Sequence, residues 1–226
     1  MEFVKIYEIW LTAFTIGFCL MPIALVLEWK RRNTSDGFSA VTLVFPTLMT
    51  LCWLKYGFVI GDMGMVYLNS GILALMAVYL LAYDFFQTDK KNFHLQMAAL
   101  AVVYFSIHMH VGRLDPADAK SHMGTIAATI QVLSMTGIVY EMYRVFLLKT
   151  TEYIMPSMTF GGLAVGLQWA FFAYLIGDIY MGIANWAGVV VNVLLVLLYP
   201  VYPPQTWRVP ILGVGPTEAK EEKKTQ

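Results

Sequence analysis

The chain has 226 residues, of which 58% are hydrophobic and 13% charged, and its formal net charge is zero. This composition is far more apolar than that of an ordinary soluble domain, and it predicts an integral membrane protein embedded in the lipid bilayer. The balanced charge argues against a nucleic-acid partner, and the two cysteines, both within apolar runs, argue against a disulfide framework or a cysteine metal site.

Seven apolar segments are long enough to cross a bilayer as helices. A helix rises about 1.5 Å per residue, so a hydrocarbon core of roughly 30 Å requires about 20 apolar residues. The first segment lacks a basic leader and a cleavage site, so we expect a retained span and not a signal peptide. The predicted spans are Val4–Leu27, Ala40–Ile60, Gly64–Phe86, His94–Val111, Met123–Leu148, Met155–Ile176 and Tyr180–Tyr202.

Lysine and arginine are distributed unequally between the two sets of loops. One set carries Lys30, Arg31, Arg32, Lys90, Lys91, Arg144, Lys149, Arg208, Lys220, Lys223 and Lys224. The other set carries Lys5, Arg113 and Lys120. Because basic loops stay in the cytosol, the amino terminus is predicted to be extracellular and the carboxyl terminus cytosolic. The glycosylation sequon at Asn33 then lies in the cytosol, and a glycan on Asn33 would reverse this orientation.

A motif in the second and third spans returns in the sixth and seventh. Trp53, Ile60-Gly61-Asp62 and Asn69 recur as Trp169, Ile176-Gly177-Asp178 and Asn185, 116 residues later. A single span, the fourth, separates the two copies, so that both copies cross the membrane in the same direction. The sequence therefore predicts an all-α integral membrane protein with seven transmembrane helices, arranged as two parallel three-helix repeats joined by a linker helix. The expected divisions are 1–92 for the first repeat, 93–120 for the linker helix and an extracellular loop, 121–205 for the second repeat and 206–226 for a cytosolic tail.

The spacing within the motif places four side chains at one depth. Each Trp lies eight residues before the glycine and each Asn eight residues after it, so all four are roughly 12 Å below the turn and near the midplane. Aromatic faces stack on sugar rings and carboxamides exchange hydrogen bonds with hydroxyls, so this residue set favours a pyranose. The alternative is that the tryptophans are interfacial anchors and the asparagines join helices.

These motifs resemble those of the SWEET family of sugar transporters, over nearly all of residues 1–205. In the first repeat the matching features are Lys30–Arg32, Ser35–Ser39, Trp53–Gly57, Gly61-Asp62 and Asn69. In the second repeat they include Thr151-Glu152 and Met155-Pro156. The resemblance implies a transporter that needs no cofactor and binds its substrate between Trp53, Asn69, Trp169 and Asn185. The large Trp53 side chain implies a narrow pocket and a monosaccharide.

The resemblance also implies moving parts. An extracellular gate is expected to involve Tyr56, Gly57, Phe172 and Asp178, and helix hinges to involve Pro22, Pro46, Gly137 and Pro156. The resemblance implies one hinge proline near the cytosolic end of each of the first, second, fifth and sixth helices, and Pro22 and Pro156 match this pattern. The match is incomplete, because the second-helix position holds Thr42, with Pro46 one turn further on. The fifth-helix position falls at Ile138 or Val139, and Gly137 beside it is expected to soften the helix. The alternative is that the prolines are simple kinks.

The residues give no indication of an enzyme or a metal site. The sequence has no nucleophile and base pair, phosphate-binding loop or zinc signature, and His108 and His110 point to different helix faces. The acidic residues of the spans, Glu8, Asp84 and Glu141, lie away from the predicted Trp and Asn level. Because coupled transporters usually keep an ionisable residue deep in the membrane, we expect uncoupled, facilitative transport of a monosaccharide such as glucose.

Two other functions stay open at this point. A proton-coupled amino-acid transporter of the PQ-loop type would carry Pro-Gln in its first and fifth helices, whereas Pro204-Gln205 follows the seventh. A seven-helix receptor would not require the duplication. The plasma membrane is the expected location, with Golgi or endosomal membranes as alternatives, and assembly into a homo-oligomer is left open.

Overall fold

The computed structural model describes residues 2–216, and the regular elements in that range are all helices. In chain order they are α1 (Glu2–Cys19), α2 (Ile23–Arg32), α3 (Val41–Ile60), α4 (Met63–Phe86), α5 (Lys91–Val111), α6 (Pro116–Ser134), α7 (Thr136–Leu148), α8 (Pro156–Ile176) and α9 (Ile179–Val201). The all-α prediction is confirmed for this part of the chain. The charged end of the predicted tail, residues 217–226, lies outside the described residues.

Six helical runs have the length and composition needed to cross a membrane. Two of these runs, Glu2–Arg32 and Pro116–Leu148, each combine two consecutive helices, α1 with α2 and α6 with α7. The other four are α3, α4, α8 and α9. The helix α5 is also long enough, with 21 residues, but polar side chains such as Gln96 and His108 make it less apolar. All seven predicted segments are therefore helical.

The first crossing is broken between Cys19 and Ile23, where the hydrogen bonds change to the shorter i to i−3 type, as from Met21 to Phe18. Pro22 supplies the physical reason, because it has no N–H and its ring clashes with the preceding turn. The predicted single helix Val4–Leu27 is corrected accordingly. It is two helices with a break at Leu20–Pro22, and it continues to Arg32.

The fifth crossing is broken at Met135 without a proline. The hydroxyl groups on either side turn back onto the preceding turn: Ser134 Oγ donates to the Gln131 carbonyl at 2.6 Å, and Thr136 Oγ1 donates to the Leu133 carbonyl at 2.9 Å. Such bonds compete with the helical ladder and bend it. Met135 lies 116 residues after Cys19, so the two breaks occupy equivalent positions.

The fifth crossing also begins earlier than predicted, at Pro116 and not at Met123. Pro116 occupies the first helical position after Asp115, where a proline costs no hydrogen bond. The segment from residue 116 to 122 is exposed apart from the buried Ala119 and contains four polar side chains, so a hydropathy pattern excludes it although its backbone is helical. The remaining boundaries differ from prediction by three residues or fewer, apart from the continuation of the first crossing.

The two Gly-Asp pairs form matching turns at one end of the bundle, called here the turn end. Gly61 and Gly177 end their helices in the left-handed conformation, with φ of 73° and 69°, which favours glycine. Asp62 then accepts a hydrogen bond from the Met65 N–H at 2.9 Å, and Asp178 accepts one from Met181 at 3.0 Å. Each pair therefore ends one helix and caps the next.

The helices pack as two similar halves. In the first half α4 packs against α1, α2 and α3, and in the second half α9 packs against α6, α7 and α8. Contacts between α1 and α8 and between α3 and α6 join the halves, and α5 packs against α3 and α6. This arrangement leaves a space between the halves that is lined by both.

The end opposite the turns, called here the base, is closed by a matching loop in each half. The Ser35 N–H donates to the Phe86 carbonyl at 3.0 Å, and the Thr151 N–H donates to the Tyr202 carbonyl at 2.9 Å. Both pairs are related by the same 116-residue offset. Each loop thus ties the first crossing of its half to the end of the third.

Candidate substrate-binding site

A cavity of about 370 Å³ lies between the two halves. This volume is within the range of small-molecule binding sites, roughly 300–1,000 Å³. The four side chains predicted to bind substrate all line it, namely Trp53, Asn69, Trp169 and Asn185. Two crossings of each half, separated by more than 100 residues of sequence, therefore bring the indoles and carboxamides to one space.

The two indoles are held by hydrogen bonds that cross between the halves. Trp53 Nε1 donates to Gln131 Oε1 at 2.6 Å, and Trp169 Nε1 donates to Thr15 Oγ1 at 2.9 Å. Thr15 and Gln131 are themselves 116 residues apart, so the two contacts are equivalent. Since the polar edge of each indole is engaged by the protein, the ring surface is what remains for a ligand.

The two asparagines adopt the same arrangement. Asn69 Nδ2 donates to the Met65 carbonyl at 2.8 Å, and Asn185 Nδ2 donates to the Met181 carbonyl at 2.9 Å. Each amide nitrogen is thus tied to its own helix one turn before. The Asn185 oxygen also accepts a hydrogen bond from Gln131 Nε2 at 3.3 Å. A carboxamide retains further donor and acceptor capacity after these bonds, so both can bind hydroxyl groups.

Most of the remaining cavity wall is apolar and adaptable. Five methionines contribute to it, namely Met49, Met65, Met76, Met158 and Met181. Methionine is flexible and polarizable, so it can follow the shape of a ligand without adding specificity. Polar specificity therefore depends on the few amide and hydroxyl groups among the indoles.

The cavity extends from the Trp and Asn level toward the base. Its lining there includes the predicted hinge residues Pro22 and Pro46. Of the other two, Gly137 lies two residues beyond the break at Met135, and Pro156 lies at the first position of α8, where it fits without losing a hydrogen bond. Two of the four hinge candidates therefore line the cavity, and the other two do not.

At the turn end, a hydrogen bond between the halves covers the cavity. Tyr56 Oη donates to Asp178 Oδ2 at 2.8 Å, and the tyrosine ring is fully buried. The rings of Trp53 and Tyr180 pack against Tyr56 edge-on, with centroids 5.6 and 6.1 Å away. These contacts join the predicted gate residues Tyr56 and Asp178 directly.

The other two gate candidates contribute packing. A Cβ added to Gly57 would lie 3.2 Å from side-chain atoms of Met65 and Val66, so the glycine allows α3 and α4 to approach closely. Phe172, the repeat equivalent of Tyr56, is buried and packs edge-on against Trp169 at 5.6 Å. Because phenylalanine has no hydroxyl, the tyrosine–carboxylate bond is made on one side of the turn end alone.

Sequence reasoning missed Thr15 and Gln131. They differ in residue type, so a search for repeated identities does not reveal them. Applying the 116-residue offset to the first and fifth crossings would have aligned them, and polar side chains within apolar helices are themselves a signal. What could not be read from the sequence is which indole each one contacts.

Comparison with known proteins identifies the family. A family model described as "Sugar efflux transporter for intercellular exchange" matches residues 6–91 and 121–207, well over half of the chain. The chain belongs to the SWEET family. It is 27% identical over 183 residues to a sugar transporter SWEET1 of Drosophila pseudoobscura pseudoobscura, covering 79% of this chain and 80% of that protein. A SWEET1 of Mus musculus is 22% identical over 194 residues, covering 85% and 88%.

A solved structure has the same fold. A eukaryotic SWEET transporter superposes with a TM-score of 0.76 at 15% sequence identity, covering 88% of this chain and 96% of that one. The predicted seven-helix membrane fold is therefore confirmed, and so is the resemblance to the SWEET family. SWEET proteins are transporters and not enzymes, in agreement with the sequence analysis.

Proposed function

We propose that this SWEET protein is a facilitative, uncoupled transporter that carries a monosaccharide such as glucose across a membrane by alternating access. The observation that carries the proposal is the cavity shared by Trp53, Trp169, Asn69 and Asn185. Two indole surfaces provide stacking for a sugar ring, and two carboxamides provide hydrogen bonds for its hydroxyls. The name of the SWEET1 relatives, which are described as sugar transporters, supports the same substrate class.

The size of the substrate follows from Trp53. Its side chain is 7% exposed and its ring occupies one side of the cavity, where a smaller residue would leave more room. Together with Trp169, it limits the space between the two rings. A single pyranose ring therefore fits this proposal better than a disaccharide.

The positions of the acidic side chains support transport without a coupling ion. Asp84 interacts with Lys90 and His94 at the end of α4, at 3.5 and 2.9 Å. Glu141 forms an ion pair with Arg144 at 3.0 Å on α7. Neither these carboxylates nor Glu8 belongs to the cavity lining. Proton or sodium coupling generally requires such a group at the substrate level.

Alternating access is supported by the difference between the two ends of the cavity. The Tyr56–Asp178 contact covers it at the turn end, whereas its lining continues to Pro22 and Pro46 toward the base. With the amino terminus extracellular, as the lysine and arginine distribution favours, this arrangement is the inward-facing state. The helix breaks near Pro22 and Met135 are the proposed hinges. The plasma membrane is the proposed location, with Golgi or endosomal membranes as alternatives.

Counterflow of labelled glucose into liposomes tests this function. We expect the purified chain to exchange glucose without an ion gradient. Asn69→Ala and Asn185→Ala should each reduce counterflow by about fivefold or more, since a hydrogen bond to a substrate hydroxyl contributes roughly 1–2 kcal/mol.

The matched control is Asn192→Ala. Asn192 lies two turns further along α9 and makes the same bond, to the Gly188 carbonyl at 2.9 Å, but it is not part of the cavity lining. This variant should keep its counterflow if it folds, which thermal melting in detergent reports. Normal counterflow by both cavity variants would remove the sugar site, and loss of wild-type exchange on collapse of a proton gradient would remove the uncoupled mechanism.

A further inference from the structure

We propose that Gln131 is a positioning residue that sets which hydrogen-bonding groups the cavity presents to the sugar, and so contributes to specificity. The proposal rests on the function proposed above. Gln131 lies on α6 of the second half, yet its side chain contacts Trp53 of the first half and Asn185 of the second. It is therefore the side chain through which one indole and one carboxamide of the site are connected.

The chemistry of these contacts sets the direction of the whole chain of bonds. An indole N–H can only donate, so the carboxamide oxygen of Gln131 must face Trp53. Its NH₂ group then faces Asn185, whose oxygen accepts the bond at 3.3 Å. Asn185 in turn directs its NH₂ group to the Met181 carbonyl at 2.9 Å. The donor-only indole of Trp53 orients the Gln131 amide, and the acceptor-only Met181 carbonyl orients that of Asn185, so the two amides meet with matching donor and acceptor.

The two halves of the site differ as a result. At Asn185 the amide oxygen is already engaged by Gln131, and N–H groups of both side chains retain capacity for a ligand. At Asn69 the nitrogen is tied to Met65, and the oxygen accepts no hydrogen bond from residues 2–216. We therefore expect one sugar hydroxyl to accept a bond near Asn185 and another to donate a bond to Asn69.

The equivalent position in the first half does not have this effect. Thr15 accepts from Trp169 at 2.9 Å, but within the described range its hydroxyl makes no bond to Asn69. A threonine is too short to connect an indole with a carboxamide across the site as glutamine does. The asymmetry of the site therefore originates in the difference between Thr15 and Gln131.

The first test replaces Gln131 by methionine, which keeps the length of the side chain and removes the amide. We expect Gln131→Met to raise the glucose concentration for half-maximal counterflow by about fivefold or more, with a smaller change in the maximal rate. The matched control is Gln168→Met, because Gln168 accepts the same type of bond from Trp10 Nε1 at 2.8 Å outside the cavity lining. Equal effects of the two variants would overturn the proposal.

The second test asks whether Gln131 acts through Asn185. In a double-mutant cycle, Gln131→Met should add little to the effect of Asn185→Ala, because the carboxamide whose oxygen Gln131 engages is then missing. It should add fully to the effect of Asn69→Ala. Free-energy effects that add fully in both pairs would contradict a positioning role.

The third test reads the hydrogen-bond pattern itself with deoxy and deoxyfluoro glucose analogues. Fluorine can accept a hydrogen bond but cannot donate one, whereas a hydrogen atom in its place does neither. The wild-type protein should therefore tolerate fluorine better than hydrogen as a replacement for the sugar hydroxyl that accepts a bond near Asn185. Gln131→Met should abolish this preference, whereas Gln168→Met should retain it. If the methionine variant does not fold, Gln131→Glu takes its place in this test. Glutamate keeps an acceptor for Trp53, but it faces the Asn185 oxygen with a second acceptor.

The outcomes separate the two proposals. If the wild-type protein exchanges no sugar, the proposed function fails. If it exchanges glucose and the analogue profile of the Gln131 variants equals that of wild type, the function stands and the role of Gln131 is wrong. A profile altered at one hydroxyl, with Gln168→Met unchanged, supports the positioning role.

Discussion

A single buried hydroxyl connects the two halves at the turn end. Tyr56 on α3 donates to Asp178, which at the same time caps α9 through the Met181 N–H at 3.0 Å. Hydrogen bonds to charged groups are shorter and stronger than neutral ones, and burial of Tyr56 excludes competing water. The contact therefore combines a structural cap of α9 with a link between the halves, and the proposed alternating access requires this link to open when substrate enters from this side.

Replacing Tyr56 by phenylalanine should favour opening of the turn end. A bond to a carboxylate contributes about 1.5–3 kcal/mol, so Tyr56→Phe should raise the open population by about tenfold or more. Spin labels at Met63 and Ile179, which are exposed equivalents at the two turns, should report a longer or broader distance in a cysteine-free background. Tyr174→Phe, at a side chain that is 80% exposed, is the control. Identical distance distributions for wild type and Tyr56→Phe would show that the bond does not hold this end closed.

Two helices are broken at equivalent depths by different chemistry. The first crossing uses Pro22, whereas the fifth uses hydroxyl bonds from Ser134 and Thr136 on either side of Met135. A similar backbone shape therefore does not require the same residue. Ile138 lies 116 residues after Pro22, so the bend of the fifth crossing forms without a proline at the equivalent position.

A proline introduced at Ile138 should be tolerated. The Ile138 N–H bonds to Met135 over three residues, and the position lies in the first turn of α7, so the usual clash with an unbroken ladder is relieved. We expect Ile138→Pro to cost clearly less than the roughly 3 kcal/mol of a mid-helix proline and to keep counterflow. The control is Thr129→Pro, inside α6, which should abolish folding. Thermal melting in detergent measures the stability of both variants, and equal destabilisation would show that the break does not accommodate a proline.

The base of the second half is completed by the segment that follows α9. The buried side chain of Val209 and the ring of Trp207, 6.3 Å from that of Tyr199, cover the end of the bundle. Glu152 in the preceding loop accepts hydrogen bonds from the Thr206 hydroxyl and from its N–H, the latter at 3.1 Å. Trp207 and Val209 of the predicted tail are thus packed against the bundle.

The contact at Glu152 should make stability depend on pH. Hydrogen bonds from Thr206, followed by that from the Gln205 N–H, lower the pKa of the Glu152 carboxyl below its usual value. A lowered pKa in the folded state adds stability that is present above the ordinary carboxyl pKa, about 4.3, and is lost as the pH falls through the lowered value.

Glu152→Gln should therefore melt below wild type at pH 6, and this difference should shrink between pH 4 and pH 3. Glu28→Gln, which removes the exposed ion pair with Arg31 at 2.6 Å, should change the melting temperature little. A difference between wild type and Glu152→Gln that stays constant down to pH 3 would contradict the assigned cause.

Hydropathy and the 116-residue repeat determined the seven crossings, because lipid contact and helix length act on each segment separately. The same repeat predicted that Trp53, Asn69, Trp169 and Asn185 lie at one depth, since distance along a helix follows from residue number, and all four line the cavity. Only the tertiary structure decided that Gln131 meets Trp53, that Tyr56 meets Asp178 and that the fifth crossing breaks at Met135. The physical reason is that such contacts depend on how each helix is rotated and packed against its neighbours, and side-chain pairing between distant helices leaves no periodic pattern in the chain.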